Sequence, residues 1–150
     1  MGGIKINDLG LLRYCQAAIG GDIDEIKDAF PADKYVCFGE YRSDGEPLWV
    51  VALYNFKHQH NCEIDITLNP KGIFTTSIFS RMGRVVFNYI FDQAKLERAT
   101  VKVRESNEKS IRLAKAWGFI KEGFIRKGYS KPNIENMVIL GILRSECRWI

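Results

Sequence analysis

The sequence predicts an α+β (α/β layered) chain built on a mixed sheet with a central βαβ crossover, and three observations carry that reading. Residues Cys62–Leu68 (CEIDITL) and Arg98–Arg104 (RATVKVR) alternate apolar and polar side chains, as half-buried strands do. Between them, from about Ser80 to Ala94, Met82, Val85, Val86, Tyr89 and Ile90 recur at helical spacing. Downstream stand a short amphipathic helix that stops abruptly at Trp117-Gly118-Phe119 and two further strand patterns.

The elements follow in order. Asp8–Ile19 (DLGLLRYCQAAI) reads as a helix with Leu9, Leu12 and Ala17 near one stripe and Gly20-Gly21 as its stop. Asp22–Phe30 reads as a second helix, capped by Asp22 and ended by Pro31. Tyr35–Tyr41 (YVCFGEY) is a strand, Ser43-Asp44-Gly45 a turn, and Leu48–Phe56 (LWVVALYNF) a strongly apolar strand. Lys57–Asn61 turns the chain into Cys62–Leu68, whose faces separate Cys62, Ile64, Ile66 and Leu68 from Glu63, Asp65 and Thr67. Asn69-Pro70-Lys71-Gly72 breaks that strand. Phe87, Phe91 and Ala94 widen the apolar surface of the following helix, so it should be largely buried. Strands near Phe119–Phe124 and Asn136–Leu143 form a closing hairpin.

Composition bounds the function. A length of 150 residues fits one domain spanning 1–150, and 46% apolar with 27% charged residues suits a folded core. No run approaches the ~20 apolar residues of a membrane span, and the N-terminus has no signal-peptide pattern. Cys15, Cys37, Cys62 and Cys147 form no C-x-x-C pair and read as reduced thiols of a cytoplasmic protein. The net charge of +4 suits an anionic ligand or nucleic acid and is too small to choose between them.

The most specific signal runs from Ser106 to Tyr129 (SNEKSIRLAKAWGFIKEGFIRKGY). Asn107 and Ser110 stand three apart at a helix start, where a side-chain oxygen caps free N–H groups. Ile111, Ala114 and Trp117 keep helical spacing, and Gly118 falls where a left-handed cap belongs. With Phe119, Glu122-Gly123 and Arg126 this stretch resembles the last conserved motif of the GNAT acyltransferase superfamily. The ending Ile134–Trp149 (IENMVILGILRSECRW) looks most similar to the Rim-type branch, the ribosomal-protein alanine N-acetyltransferases. The resemblance implies a GNAT-type mixed, mostly antiparallel sheet with helices on both faces. It implies acetyl-CoA as co-substrate, no metal, and a primary-amine acceptor, a protein or peptide N-terminus or a small amine; the slightly basic chain disfavours a polyamine, since like charges repel. Neither nucleic acid nor a membrane is an expected partner, and a dimer is compatible.

The resemblance also assigns residues. Counting back from Leu96-Glu97-Arg98 places the coenzyme A phosphate loop on Gly72–Phe79, with backbone N–H groups of Thr75, Thr76, Ser77, Ile78 and Phe79 as donors. The family's two glycines there are Thr75 and Ser77, a departure that crowds the approach, and capping the following helix is the plainer role of Thr75–Ser77. A second register at Arg81-Met82-Gly83-Arg84 leaves too short a helix. A backbone N–H near Leu68 would polarise the thioester carbonyl between splayed strands. Glu63 and Asp65, two apart on one strand face, are the acid–base candidates: each disfavours ionisation of the other, and partial burial raises a pKa toward the working range, whereas a solvated strand face with two ordinary charges is the plainer reading. The family's acidic tyrosine is Ala114 here. Ser110 or, further off, Tyr129 would protonate the leaving thiolate, and Asn107 would orient the pantetheine arm. Helix capping is the plainer role of Asn107 and Ser110. His58, His60 and Cys62 alternate, but a polar hairpin tip explains them without a metal. Lys121, Arg126, Lys127 and Lys131 read as a solvated edge or as contacts to the 3′-phosphate. Two rivals stand beside the enzyme: a non-catalytic GNAT-fold binding module, which the glycine-free loop favours, and a nucleic-acid-modifying acyltransferase.

Overall fold

The computed structural model describes residues 3–19, 35–57 and 59–150. Its strands are β1 (Lys5–Ile6), β2 (Val36–Tyr41), β3 (Pro47–Lys57), β4 (Asn61–Leu68), β5 (Arg98–Arg104), β6 (Ile120–Tyr129) and β7 (Glu135–Leu143). Its helices are α1 (Leu9–Ile19), α2 (Thr76–Phe87), continued by a π-helical stretch over Asn88–Gln93, and α3 (Glu108–Trp117). The strands form one sheet in the order β1-β2-β3-β4-β5-β7-β6. Only the β4–β5 pair is parallel among the described strands, as a helical crossover between them requires. The sheet is therefore mixed and mostly antiparallel, with helices flanking it.

Strand alternation builds two cores. On one face Trp49, Val51 and Leu53 of β3 join Cys62 and Ile64 of β4 beneath α2 and α3, with Phe87, Phe91 and Trp117 fully buried. Phe87 sits at the centre, its ring 5.5 Å from Trp117, 5.9 Å from Phe119 and 6.0 Å from Phe91. On the other face Val50 and Ala52 pack with Cys37 beneath Leu11, Leu12 and Cys15 of α1. The stripe of α1 is thus Leu11, Leu12 and Cys15. Leu9 and Ala17, expected inside, are exposed, since Asp8 rather than Leu9 meets β2 through a hydrogen bond with Tyr41. The helix expected over Asp22–Phe30 lies outside the described residues.

The crossover helix begins four residues earlier than its apolar period suggests. Thr75 is extended, and its hydroxyl accepts the Ile78 N–H at 3.2 Å, so the helix is capped before the first core residue, Met82. Polar Thr76 and Ser77 form the first turn and leave no apolar signal. Gly118 ends α3 at φ 114°, as the glycine after Trp117 predicts, and its N–H bonds the Lys115 carbonyl at 3.0 Å. β6 extends five residues beyond its expected end, because β7 pairs with it as far as Tyr129↔Glu135.

Candidate active site

The site arises where β4 and β5 part. They pair in parallel from Asn61↔Arg98 to Ile64↔Val101 and no further. β5 keeps pairing with β7 to Arg104↔Met137, while β4 keeps pairing with β3 to Trp49↔Leu68. A cleft of about 340 Å³ opens between the free ends. Asp65 and Leu68 form one wall, Lys102 and Arg104 the other, and Asn107, Ser110 and Tyr129 close it.

The parting leaves backbone donors unpaired in the sheet. Asn69 donates its N–H to the Leu48 carbonyl at 2.9 Å, toward β3. Successive N–H groups of a strand point to opposite sides, so the Leu68 N–H is turned away from β3, toward the cleft. A carbonyl placed there would meet a fixed dipole in a partly dry site.

The two carboxylates of β4 share a face, as their spacing implies, yet their surroundings differ. Glu63 is nearly buried and does not line the cleft. Its Oε1 meets Lys102 Nζ at 2.9 Å, and its Oε2 accepts a hydrogen bond from Asn55. Asp65 lines the cleft and has no ion pair among the described residues. Its Oδ2 accepts from Cys15 Sγ and from Thr67 Oγ1, both at 3.2 Å. Burial pushes the Asp65 carboxyl above the ordinary carboxylate range, and those two hydrogen bonds oppose the push. The opposite wall is pinned. Arg104 lies 4.4 Å over the Tyr129 ring and 3.5 Å from Glu135, which accepts the Ser106 N–H at 3.0 Å. Burial raises the Tyr129 hydroxyl, against the pull of Arg104.

Asn107 and Ser110 combine their two readings. Asn107 Oδ1 caps α3 by accepting the Ser110 N–H at 3.3 Å, and both residues stand on the cleft wall. The phosphate-loop residues lie apart from them, at the start of α2. Of the five N–H donors expected there, Ile78 is taken by Thr75 Oγ1, and Phe79 by the Thr75 carbonyl at 3.0 Å. Thr76 and Ser77 retain free helix-end donors. Arg81, in the rejected second register, is bound to Glu40 at 2.8 Å.

His58 lies outside the described residues, and Cys62 is buried in the core, while His60 is exposed. Cys15, Asn55, Thr67 and Lys102 had no sequence signal as site residues. Each touches β4 from another strand or from 50 positions away, except Thr67, which the strand alternation had already put beside Asp65.

A family model described as an acetyltransferase (GNAT) domain matches residues 18–120. The chain belongs to the GNAT acetyltransferase family, and is an acyl-CoA-dependent N-acetyltransferase that moves an acetyl group from acetyl-CoA to a primary amine. No curated protein matches it in sequence. Among solved structures it is similar to a spermidine N-acetyltransferase from Vibrio cholerae in complex with CoA and spermine. The identity is 15%, the TM-score 0.73, and the match covers 96% of each chain. A manganese complex of the V. cholerae spermidine/spermine N-acetyltransferase is similar at 16% identity and TM-score 0.72, over 95% of this chain and 92% of that one. A dodecameric structure of the V. cholerae enzyme matches at 17% identity and TM-score 0.71, over 95% and 94%.

These findings correct two expectations. The Rim-type assignment from Ile134–Trp149 does not hold, because the similar structures belong to the polyamine branch. That ending forms β7 and a tail whose Trp149 packs edge-on against Phe79 of α2 and donates to the Trp117 carbonyl of α3. The expectation of no metal is overturned as well, since the V. cholerae enzyme is solved with manganese ions. That enzyme's dodecamer also exceeds the dimer considered from sequence. No helix among the described residues is long and apolar enough to cross a membrane.

Proposed function

We propose that this chain acetylates a small aliphatic polyamine, with Asp65 as the base and the Leu68 N–H as the oxyanion donor. The observation that carries the reading is the cleft at the β4–β5 split, with an unpaired carboxylate on its wall. The amine nitrogen attacks the thioester carbonyl. As the N–C bond forms and the C–S bond breaks, Asp65 takes the proton from nitrogen. The carbonyl oxygen gains charge beside the Leu68 N–H. The departing sulfur takes a proton from a hydroxyl of the far wall, Ser110 or Tyr129. Asn107 orients the pantetheine arm, and the Thr76 and Ser77 N–H groups receive the pyrophosphate at the positive end of α2. Glu63 keeps Lys102 in place and takes no proton.

The acceptor class rests on local charge. The chain's +4 argues against a polycation, but two cations of the cleft are engaged, Lys102 with Glu63 and Arg104 with Glu135, whereas Asp65 faces no cation partner among the described residues. Lys109 also lines the cleft, so an ammonium is drawn to the Asp65 carboxylate itself rather than to the wall as a whole. The similarity to spermidine N-acetyltransferases points the same way. Release of free thiol is followed with spermidine and with butylamine. Spermidine is favoured in kcat/KM by about fivefold at low salt, since a second charge a few ångströms from Asp65 gains ~1 kcal/mol, and the preference fades as salt rises. Equal use of both amines at all salt concentrations overturns the acceptor assignment.

A further inference from the structure

The buried thiol of Cys15 has no part in the chemistry above, yet it points at the reacting wall. It comes from α1, fifty residues upstream, and is fully shielded from solvent. A free cysteine in such a cluster ordinarily packs as a small apolar group. Here its Sγ stands 3.2 Å from Asp65 Oδ2, and Thr67 Oγ1 stands 3.2 Å from that oxygen and 3.6 Å from the sulfur. The three groups form a closed triangle between α1 and β4.

We propose that Cys15 and Thr67 are positioning residues that clamp Oδ2 of Asp65 and so present its other oxygen, Oδ1, to the amine in the cleft. The inference rests on Asp65 being the base. Burial with a carboxylate neighbour pushes the Cys15 thiol far up, so it stays protonated as a donor and is no nucleophile. Two donors on one oxygen hold the carboxylate in one rotamer and favour its charged form against the cost of burial. The titratable groups around Asp65 are Cys15 of α1, Tyr54 of β3, Glu63 of β4, Lys102 and Arg104 of β5, Lys109 of α3, and Tyr129 of β6. Cys15 donates to Asp65 directly. An apolar stripe on α1 places this donor, so the helix supports the base as well as covering the sheet.

The test is the pH profile of kcat/KM with spermidine and saturating acetyl-CoA, for the full chain. Cys15→Ala and Thr67→Val each remove one donor and move the acid limb to higher pH. Below the limb each lowers kcat/KM by about two- to tenfold, the equivalent of one hydrogen bond, with the KM for acetyl-CoA unchanged. Cys15→Ser keeps a donor and restores the profile, which a merely structural role of the thiol does not produce. In an Asp65→Asn background, Cys15→Ala changes nothing further. An unmoved acid limb in Cys15→Ala with a wild-type melt overturns the clamp, as does an equal loss in the Asp65→Asn background. If Cys15→Ala folds poorly, Thr67→Val and Cys15→Ser carry the same comparison. Asp65→Asn at full wild-type rate instead overturns the base assignment, a result separable from the others.

Discussion

Removing Lys102 should harm this protein more than removing Glu63, although the two are partners in one ion pair. The pair spans 2.9 Å, and its exposure is lopsided: 11% for the Glu63 side chain against 40% for Lys102. In Lys102→Met the carboxylate stays nearly buried and keeps only the Asn55 amide. A fully buried charge stranded in this way costs about 3–5 kcal/mol, whereas an exposed pair is worth ~1 kcal/mol or less. With one partner half in water the loss falls between, at about 1.5–3 kcal/mol. For a chain of this size each kcal/mol lowers Tm by about 2–4 °C, so the melt falls by roughly 3–12 °C. In Glu63→Gln the amide oxygen still accepts from Asn55, and the Lys102 ammonium swings into water. That variant loses ~1 kcal/mol or less. Its kcat stays within about tenfold of wild type, whereas a general base gives ~10²–10⁴. The double variant Glu63→Gln/Lys102→Met recovers most of the stability lost by Lys102→Met alone. Urea melts and initial rates on the four proteins decide it. The reasoning is refuted if Glu63→Gln is the less stable single variant, or if it loses a hundredfold in rate.

Three further outcomes are expected. Thr76→Pro keeps α2, since proline suits the first helical position, but removes a free N–H; the thermal shift with acetyl-CoA should shrink well below the ~2.7 kcal/mol expected for wild type at about 100 Kd. Asp65 has a folded pKa raised above its unfolded value of 3.8, so its contribution to stability is full below 3.8 and is lost as pH rises through the folded pKa. Asp65→Asn should therefore gain stability over wild type across that rise while losing ~10²–10⁴ in rate, read by paired melts and assays from pH 4 upward. Gly118→Ala should cost about 1–2 kcal/mol from backbone strain alone at φ 114°, because the added Cβ meets only Ile142 at 3.4 Å, an ordinary contact; a melt within 1 °C of wild type would contradict this.

Local features were legible in the sequence to the extent that they depend on nearest neighbours. The strand β5 lies where its alternation puts it, and the stop at Gly118 needed only one residue without a Cβ. The apolar period alone put the start of α2 near Ser80, since a polar first turn carries no apolar signal, and the capping reading of Thr75–Ser77 is the one that marks the true start. The stripe of α1 was misread because Leu9 and Leu11 differ only in what meets them across space. At the site, Asp65 and Glu63 were correctly placed on one face, and burial rather than their mutual repulsion is what raises the Asp65 carboxyl. The parallel register with β5 brings Lys102 to Glu63, and α1 brings Cys15 to Asp65. Neither partner is near in sequence, so no spacing rule separates the two carboxylates.

The same distinction governs the acceptor. Net charge is a sum over the chain, and a cleft responds to the charges left unpaired within it. Here the sheet register matches Lys102 with Glu63 and Arg104 with Glu135, and so converts two cations of the wall into neutral pairs. What remains is one carboxylate, held by uncharged donors at the point where β4 leaves β5, and Lys109 at the start of α3. The parting of the strands thus does three things at once. It opens the volume, turns the Leu68 N–H toward it, and leaves Asp65 beyond the last residue that pairs with β5. A variant that extended the β4–β5 ladder past Ile64 would close the site while leaving every candidate residue in the sequence unchanged.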